Sequence, residues 1–332
     1  MGSRYRKKCF RRLCLQKPSQ RPVKTDFGWE LGEVCNKTTI EVVPYDASWP
    51  EMFKEEERVI REALKGDELF AEPSESACNA VYHIGSTSVP QLSAKPIIDI
   101  IAVAKHRANA IASLERIGYV HQGEWNIPLK CGFTKRDGTS VNLHVFFEED
   151  HPEIELNIKF RDYLRAHQEA RAEYAALKMK ILQEGNAEQR VGRLGFPLYT
   201  LKKRDFICDV LKKTGFNRLR VLKCIADAEW EVVKDFRRKH FERLGTADPY
   251  DDLDTSEFEH FLLYRGVEII GYAHIMLGPS TSASLDASSV VPVGEQEARV
   301  CIFKNTQPEC DDYFRGVIVK WANEHKYENL WT

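Results

Sequence analysis

Residues 83–103, HIGSTSVPQLSAKPIIDIIAV, place a Gly-Ser turn before a single carboxylate in an apolar run. Gly85 and Ser86 can bind phosphate oxygens through backbone N–H groups and a hydroxyl. Asp99 follows Ser86 by thirteen residues (99 − 86) and can hold Mg²⁺, which neutralises phosphate charge. An unpaired buried carboxylate costs several kcal/mol, so Asp99 must meet a cation, a donor or water. The pattern predicts a phosphate site. The alternative is an ordinary turn and a structurally paired Asp99.

His144 lies in a second apolar run, SVNLHVFF, at residues 140–147. Alternation along a strand places His144 on the face opposite Leu143. If that face also carries Asp99, His144 is expected to belong to the same site. Otherwise it is a histidine of the core.

Apolar periodicity and turn signals predict alternating strands and helices, which favours an α/β or α+β fold over an all-helical one. In the first half we expect strands over 38–45, 81–84, 97–103, 127–135 and 140–147. We expect helices there over 46–64, 107–119 and 154–182. In the second half we expect a strand over 218–225, a helix over 227–241, a hairpin over 256–277, a strand over 298–305, a helix over 311–326 and a strand over 327–332.

Composition and charge narrow the function classes. The chain has 332 residues and a formal net charge of −2, and nine of its basic residues lie within residues 1–24. The remainder is mildly acidic, so no specific nucleic-acid partner is expected. The nine cysteines form no C-x-x-C pair, which favours a reducing compartment, and the cytoplasm is the predicted location. Membrane contact is expected only if the basic N-terminal arm is lipidated.

Five separated blocks resemble the GrpB family, which is similar to the nucleotidyltransferase superfamily. They are YDASWPEMFKEEE, HIGSTSVPQLSAKPIIDI, LHVF, KFRDYLRAHQEARAEYAALK and YTLKKRDFI, within about residues 39–212. The resemblance implies a nucleotidyltransferase-like mixed sheet with flanking helices. It implies catalytic and metal-binding roles for Asp99 and His144. It also implies phosphate or substrate binding by His83, Gly85, Ser86, Thr87, Ser88, Lys95, Arg161, Tyr163 and Lys203.

Two positions depart from the family and superfamily patterns. The superfamily places Asp-x-Asp/Glu on the carboxylate strand, whereas this chain has Asp99-Ile100-Ile101. A second metal-binding acid is therefore missing, which argues against a two-metal mechanism. One metal held by Asp99 with His144 or substrate phosphates is the expectation, and binding without turnover is the alternative. Gln91 stands where the family tends to have Gly.

The region from about Arg218 to the end resembles a GNAT acetyltransferase fold in its order of strands and helices. In that family a glycine-rich turn at a helix N-terminus binds the pyrophosphate of coenzyme A. Here Gln307 is present, but Glu309, Asp311 and Asp312 replace the glycines. Carboxylates at a helix start repel a pyrophosphate, so acetyl transfer is the lesser expectation. Glu297 is a weak candidate for its general base.

We therefore predict a basic, disordered extension over residues 1–38 and a GrpB domain over 39–212. Over 213–332 we predict a GNAT-like mixed-sheet domain that is incomplete at its C-terminus. The leading functional prediction is Mg²⁺-dependent nucleotidyl or phosphoryl transfer to a small molecule. The alternatives are an acetyl-CoA-dependent N-acyltransferase and a non-catalytic protein that binds a nucleotide or metabolite.

Overall fold

The computed structural model describes residues 24–25, 28–29, 40–65, 78–191, 195–248, 258–277, 298–304, 308–325 and 330–331. Residues 40–332 form one compact unit and Met1–Thr39 form another. In the smaller unit, strands β1 (Lys24–Thr25) and β2 (Gly28–Trp29) pair antiparallel. The rest of the predicted N-terminal extension lies outside the described residues. The domain boundary predicted near residue 212 stays a prediction, because both halves belong to the larger unit.

The first sheet has five strands in the order β3-β4-β7-β6-β5. Its strands are β3 (Cys78–Ile84), β4 (Ile98–Ala104), β5 (Val120–His121), β6 (Cys131–Lys135) and β7 (Val141–Phe146). β4 and β7 run parallel, and the other neighbours are antiparallel. In the register, Asp99 lies beside Asn142 and Ile101 lies beside His144. The predicted mixed sheet with flanking helices is confirmed.

Helices cover this sheet because its strands alternate apolar side chains between two faces. The helices of this half are α1 (Trp49–Lys65), α2 (Arg107–Arg116), α3 (Pro152–Ala166), α4 (Gln168–Gln183), α5 (Leu198–Leu201) and α6 (Arg204–Lys213). A short hairpin, β8 (Arg190–Val191) with β9 (Phe196–Pro197), precedes α5. Ile98, Ile100 and Ala102 share one buried cluster with Ile60 of α1 and Leu114 of α2.

The single helix predicted over 154–182 is wrong, because the chain breaks it at His167. That residue has an extended backbone, with φ −116° and ψ 99°, and it ends α3 and begins α4. Arg171 donates to the carbonyl oxygens of Leu164 and Arg165 at 3.0 and 3.3 Å. These bonds satisfy carbonyl groups that a helix end leaves without a partner. Apolar periodicity continues across the break, so it did not reveal it.

Two predicted strands also differ from the structure. Within the described part of 38–45, pairing is limited to an isolated bridge between Val43 and Ala94. The strand predicted over 127–135 begins only at Cys131, after Leu129 with a φ of 66°. A side chain at positive φ does not fit a regular strand. The apolar residues before Cys131 therefore belong to a loop.

The second sheet has five strands in the order β10-β11-β12-β13-β14. Its elements are β10 (Leu219–Lys223), α7 (Asp227–Leu244), β11 (Phe258–Arg265), β12 (Glu268–Leu277), β13 (Ala298–Lys304), α8 (Pro308–Glu324) and β14 (Leu330–Trp331). Neighbours are antiparallel except the parallel pair β13 and β14. This order of strands and helices is the predicted one. Across the described ranges, no helix is long and apolar enough to cross a membrane.

The two sheets share one apolar core. Ile101 and Val103 of β4 belong to the same buried cluster as Leu262 of β11 and Tyr272 of β12. The face of β4 that carries Asp99 therefore packs, further along the strand, against the second half of the chain. This leaves Asp99, near the start of β4, at one end of the shared core.

Candidate functional site

Asp99 packs directly against the turn that follows β3. Gly85 has a φ of 68° and is followed by the 3-10 turn Ser86–Ser88; residues 85–88 are called here the 85–88 turn. A Cβ on Gly85 would lie 2.4 Å from Oδ2 of Asp99 and 2.9 Å from its Cβ. Only glycine combines a positive φ with so close an approach of a neighbouring side chain. The Gly-Ser turn and the carboxylate thus lie side by side, and the phosphate site that the sequence predicts here stays a prediction.

Hydrogen bonds fix one oxygen of Asp99. Asn142 Nδ2 donates to Asp99 Oδ1 at 2.8 Å, and the Asn142 Oδ1 accepts from an Arg136 guanidinium nitrogen at 2.6 Å. Burial raises the pKa of the Asp99 carboxyl, while the Asn142 bond and the charges of Lys203, Lys95 and Arg136 act in the opposite direction. These groups supply the donor and the cations that a carboxylate in an apolar strand requires.

Four cationic side chains surround this carboxylate and the turn. We call Lys95, Arg136, Lys178 and Lys203 the cationic cluster; three of them interact electrostatically with Asp99, and Lys178 interacts with Lys203. Burial lowers the pKa of Lys203 to about 8 and also lowers that of Lys95. Lys95, Arg136 and Lys203 outnumber the single carboxylate, which leaves an excess of positive charge that attracts an anion.

Tyr199 holds two of these ammonium groups. The Nζ atoms of Lys95 and Lys203 lie 4.3 and 4.5 Å from the centroid of the Tyr199 ring. The ring is buried, and its electron-rich face stabilises cations that have lost part of their hydration. The two lysines are therefore held beside Asp99 by contacts with the same aromatic ring.

Lys178 reaches the 85–88 turn from α4. Its Nζ lies 3.2 Å from Ser86 Oγ and also donates to the carbonyl oxygen of Ser93. The same Nζ lies 4.7 Å from the ring centroid of Tyr174, one helical turn earlier. Burial, followed by the charge of Lys203, lowers the pKa of Lys178 to about 7.

His83 and Thr87 support the turn from the side of the sheet that α1 covers. His83 Nε2 lies 3.1 Å from Thr87 Oγ1, and the His83 ring stacks on Phe53 at 4.7 Å. Burial and the nearby charges of Arg165 and Arg161 lower the pKa of His83 to about 4. Both side chains are buried and face the α1 side of the sheet, so their geometry is that of structural support.

Ser88 completes the turn. Its Oγ donates to the carbonyl oxygen of Gly85 at 2.6 Å. The carbonyl oxygen of Ser88 accepts two bonds from the Arg165 guanidinium, at 3.0 and 2.8 Å. These contacts fix the backbone on which Ser86 is presented.

Arg161 and Tyr163 lie on α3, and neither is among the side chains that contact Asp99 or Ser86. Arg161 donates to the His83 carbonyl oxygen at 3.0 Å and to both carboxylate oxygens of Asp162, at 2.7 and 3.1 Å. Tyr163 stacks on His167 with ring centroids 3.9 Å apart. A phosphate-binding role for either residue stays a prediction.

His144 lies on the same face of the sheet as Asp99, but its contacts are different. Its Nδ1 is 3.2 Å from Lys130 Nζ, and its ring is 4.9 Å from that of Trp125. Burial and the charge of Lys130 lower the pKa of His144 well below its ordinary value. In the portion of the chain that the structure describes, no group of three or more His, Cys, Asp or Glu side chains is arranged to hold a metal. The metal and catalytic roles of His144 stay predictions.

Sequence reasoning did not assign Arg136, Asn142, Lys178 or Tyr174 to the site. A signal existed, since Lys178 follows Tyr174 by four residues and so shares its buried helix face. A lysine on an apolar helix face requires a polar partner, and here the partners are Ser86 and Ser93.

In the second half of the chain, the structure describes only some of the residues of the predicted coenzyme A site. Helix α8 begins at Pro308, and both Asp311 and Asp312 lie near its start. Gln307 and Glu297 lie outside the described residues, as does the side chain of Glu309. The acetyl-CoA-dependent alternative stays a prediction.

Comparison with known proteins gives the family. A family model described as GrpB protein matches residues 39–213, slightly more than half of the chain. The chain belongs to the GrpB family. The UPF0157 protein BH1888 of Halalkalibacterium halodurans is 36% identical to this chain over 154 residues, which cover 45% of this chain and 72% of that protein.

Two further GrpB relatives show how far the similarity extends. The UPF0157 protein YqkA of Bacillus subtilis is 35% identical over 150 residues, 44% of this chain and 40% of that protein. The crystal structure of the conserved protein GrpB from Enterococcus faecalis is 29% identical and superposes with a TM-score of 0.43, covering 52% of this chain and 96% of that one. These names state no reaction, and the chain spans less than half of YqkA.

Proposed function

We propose that the Asp99 site of this GrpB-family protein binds the phosphates of a nucleotide and transfers a nucleotidyl or phosphoryl group to a small molecule. The observation that carries the proposal is the cationic cluster around Asp99 and the 85–88 turn. Lys95 and Lys203 face the carboxylate and would bind phosphate oxygens as point charges. Arg136, whose guanidinium donates a hydrogen bond to Asn142 Oδ1, would add a further positive charge near the carboxylate.

The carboxylate fits a magnesium ion that arrives with its nucleotide. Mg²⁺ in phosphate sites is commonly held by one or two carboxylates, with phosphates and water completing the shell. Asp99 offers one carboxylate. Its Oδ1 accepts a hydrogen bond from Asn142, and its Oδ2 lies over Gly85. Around so many cations a bare metal ion is disfavoured, whereas a Mg²⁺–triphosphate complex brings compensating negative charge.

Whether the site transfers a group or only binds depends on its single acid. Ile101, at the position of the superfamily's second acid, is fully buried in the core shared by the two sheets. It therefore contributes no metal ligand. Transfer through this site has to rely on positioning and on the fixed cations, which stabilise charge that develops on the leaving group.

Thermal-shift titrations test the proposal through ligand linkage. We expect ATP, CTP or GTP to stabilise the wild-type chain, and Mg²⁺ to increase the shift. Asp99→Asn should bind the metal-free nucleotide at least as tightly, because it removes the negative charge among the cations, and should lose the increase due to Mg²⁺. An identical response of wild type and Asp99→Asn to nucleotide with Mg²⁺ contradicts the role of Asp99.

The lysines supply a second arm of the same test. Lys203→Met should weaken nucleotide binding, whereas Lys180→Met, at an exposed position of α4, should not. Because the pKa of Lys203 is lowered to about 8, nucleotide affinity should fall as the pH rises from 7 to 9. Absence of a shift with every nucleotide rejects the proposal. Binding without consumption of nucleotide favours the binding-only alternative.

A further inference from the structure

Ser86 and Lys178 form a pair that phosphate binding alone does not require. Lys178 Nζ lies 3.2 Å from Ser86 Oγ, although the two residues are 92 positions apart in the chain. The Lys178 side chain is buried, and Ser86 remains partly exposed. A serine hydroxyl within hydrogen-bond reach of a buried amine is the arrangement by which a general base activates a nucleophile.

The surroundings of Lys178 favour its neutral form. Burial and the neighbouring charge of Lys203 lower its pKa to about 7. Within the described ranges, its polar contacts are with Ser86 Oγ and the Ser93 carbonyl oxygen, and no carboxylate forms an ion pair with it. A neutral amine can donate one N–H to the Ser93 carbonyl oxygen and accept the Ser86 hydroxyl proton with its lone pair. Both observed contacts are then satisfied.

Tyr174 and the cationic cluster complete the arrangement. The Tyr174 ring packs against Lys178, and its hydroxyl interacts with Ser86. Burial raises the pKa of Tyr174, which keeps the phenol neutral. Lys203 lies close enough to Lys178 to interact with it electrostatically, so positive charge is available beside Ser86 for a phosphorus-bound leaving group.

We infer that Ser86 is a nucleophile with Lys178 as its general base, and that the site carries a phosphorus-centred group covalently on Ser86. The identity of the natural donor rests on the proposed function. Ser86 Oγ forms a bond to phosphorus while its proton passes to Lys178 Nζ. The bond from phosphorus to the leaving group breaks, and its electron pair stays with the leaving group, which is pyrophosphate for attack at the α-phosphorus of a nucleoside triphosphate. The acceptor hydroxyl then forms a bond to phosphorus as the bond from phosphorus to Ser86 Oγ breaks. Ser86 recovers the proton held by Lys178, and the proton of the acceptor hydroxyl passes to solvent.

A fluorophosphonate probe tests the pair without knowledge of the natural substrate. The full chain is incubated with the probe, and labelling is followed by intact mass and peptide mapping. We expect one label at Ser86, formed as fluoride leaves, and no label at that position in Ser86→Ala. The labelling rate should rise with pH to a plateau, with a midpoint near the Lys178 pKa of about 7.

Two arginine variants distinguish a Lys178 that acts as a general base from a Lys178 that is only a buried positive charge. Lys178→Arg keeps a cationic donor but removes the base, and it should slow labelling by about 100-fold or more. Lys180→Arg makes the same change at an exposed position of the same helix and should label at the wild-type rate. Absence of a Ser86 label in wild type overturns the inference, as does Lys178→Arg labelling at the wild-type rate.

If Lys178→Arg does not fold, the pH dependence of Ser86 labelling in the wild-type chain still tests the role of Lys178. A labelling rate that climbs with pH without a plateau indicates attack driven by hydroxide and overturns the inference. Nucleotide binding without Ser86 labelling also overturns it and leaves the proposed function intact. Ser86 labelling without any nucleotide-dependent thermal shift supports the inference and rejects the proposed function.

Discussion

At the scale of the residue, Gly85 has the most demanding position in the site. Its φ of 68° disfavours any side chain, and a Cβ would lie 2.4 Å from Asp99 Oδ2. We expect Gly85→Ala to lower the free energy of unfolding by about 2 kcal/mol or more, from strain and overpacking together. It should also weaken the nucleotide-dependent thermal shift, because Asp99 must move. Chemical denaturation and ligand titration measure the two effects.

Gly138 is the matched control for this change. It also has a positive φ, of 70°, but a Cβ there would meet nothing within 4 Å. Gly138→Ala should therefore lower the free energy of unfolding only by the backbone strain of a side chain at positive φ. It should keep the nucleotide-dependent thermal shift. Equal loss of ligand response in both variants would show that the close approach of Asp99 is unimportant.

Gln91 illustrates how a residue can depart from a family pattern at small cost. Its φ is 65°, in the region where glycine is favoured, and the sequence resemblance implies glycine at this position. Its side-chain oxygen accepts a bond from Arg171 at 3.3 Å. The positive φ therefore strains one turn, and the bond from Arg171 holds the side chain there.

At the scale of the element, α3 is tied to β10 by a buried ion pair. Arg220 donates to Glu153 Oε1 at 2.8 Å, and both residues are buried. Arg220→Met removes one partner and leaves Glu153 buried without its cation. We expect a loss of about 3–5 kcal/mol in the free energy of unfolding, measured by chemical denaturation.

The neighbouring pair gives the comparison for this prediction. Arg218 bonds Asp150, which is 90% exposed at its side chain, and Glu155, which is 34% exposed. Arg218→Met should cost about 1 kcal/mol or less, because water reaches and screens both of these pairs. The double variant Arg220→Met with Glu153→Met should recover part of the loss. A similar cost for Arg218→Met and Arg220→Met would contradict the role assigned to burial.

At the scale of the whole molecule, the two sheets are expected to unfold together. Leu262 of β11 is fully buried in the cluster that contains Ile101 and Val103 of β4. Leu262→Ala should lower the free energy of unfolding by about 2–5 kcal/mol. Because the cluster is shared, far-UV circular dichroism and tryptophan fluorescence should report one transition that shifts as a whole. Two separate transitions, with only one of them shifted, would show that the halves are independent.

Buried lysines predict the pH dependence of the whole fold. Burial lowers the pKa of Lys130 and Lys178 to about 7 and that of Lys203 to about 8. Between pH 7 and 9 the unfolded chain therefore binds more protons than the folded one, and the free energy of unfolding should rise with pH. Lys130→Met should flatten the rise, and Lys180→Met should not. A free energy that falls across this interval would be the contrary result.

The sequence alone determined much of the element order, because local patterns act through near neighbours. The apolar runs in residues 97–103 and 140–147 predicted β4 and β7, and alternation placed His144 opposite Leu143. The sequence left open whether the His144 face also carries Asp99, and the register shows that it does. The break at His167 escaped prediction, because it depends on bonds from Arg171 rather than on periodicity.

The Gly-Ser turn and Asp99 could be paired from the sequence, since both belong to the short segment that runs from the end of β3 into the adjacent strand β4. Only the tertiary structure decided what surrounds them. Asn142 reaches Asp99 through the β4–β7 register, and Lys178 reaches Ser86 across 92 residues. The Ser86 contact depends on how α4 lies against the 85–88 turn. Electrostatic interaction follows distance in space rather than in sequence, so no local pattern could bring these cations together.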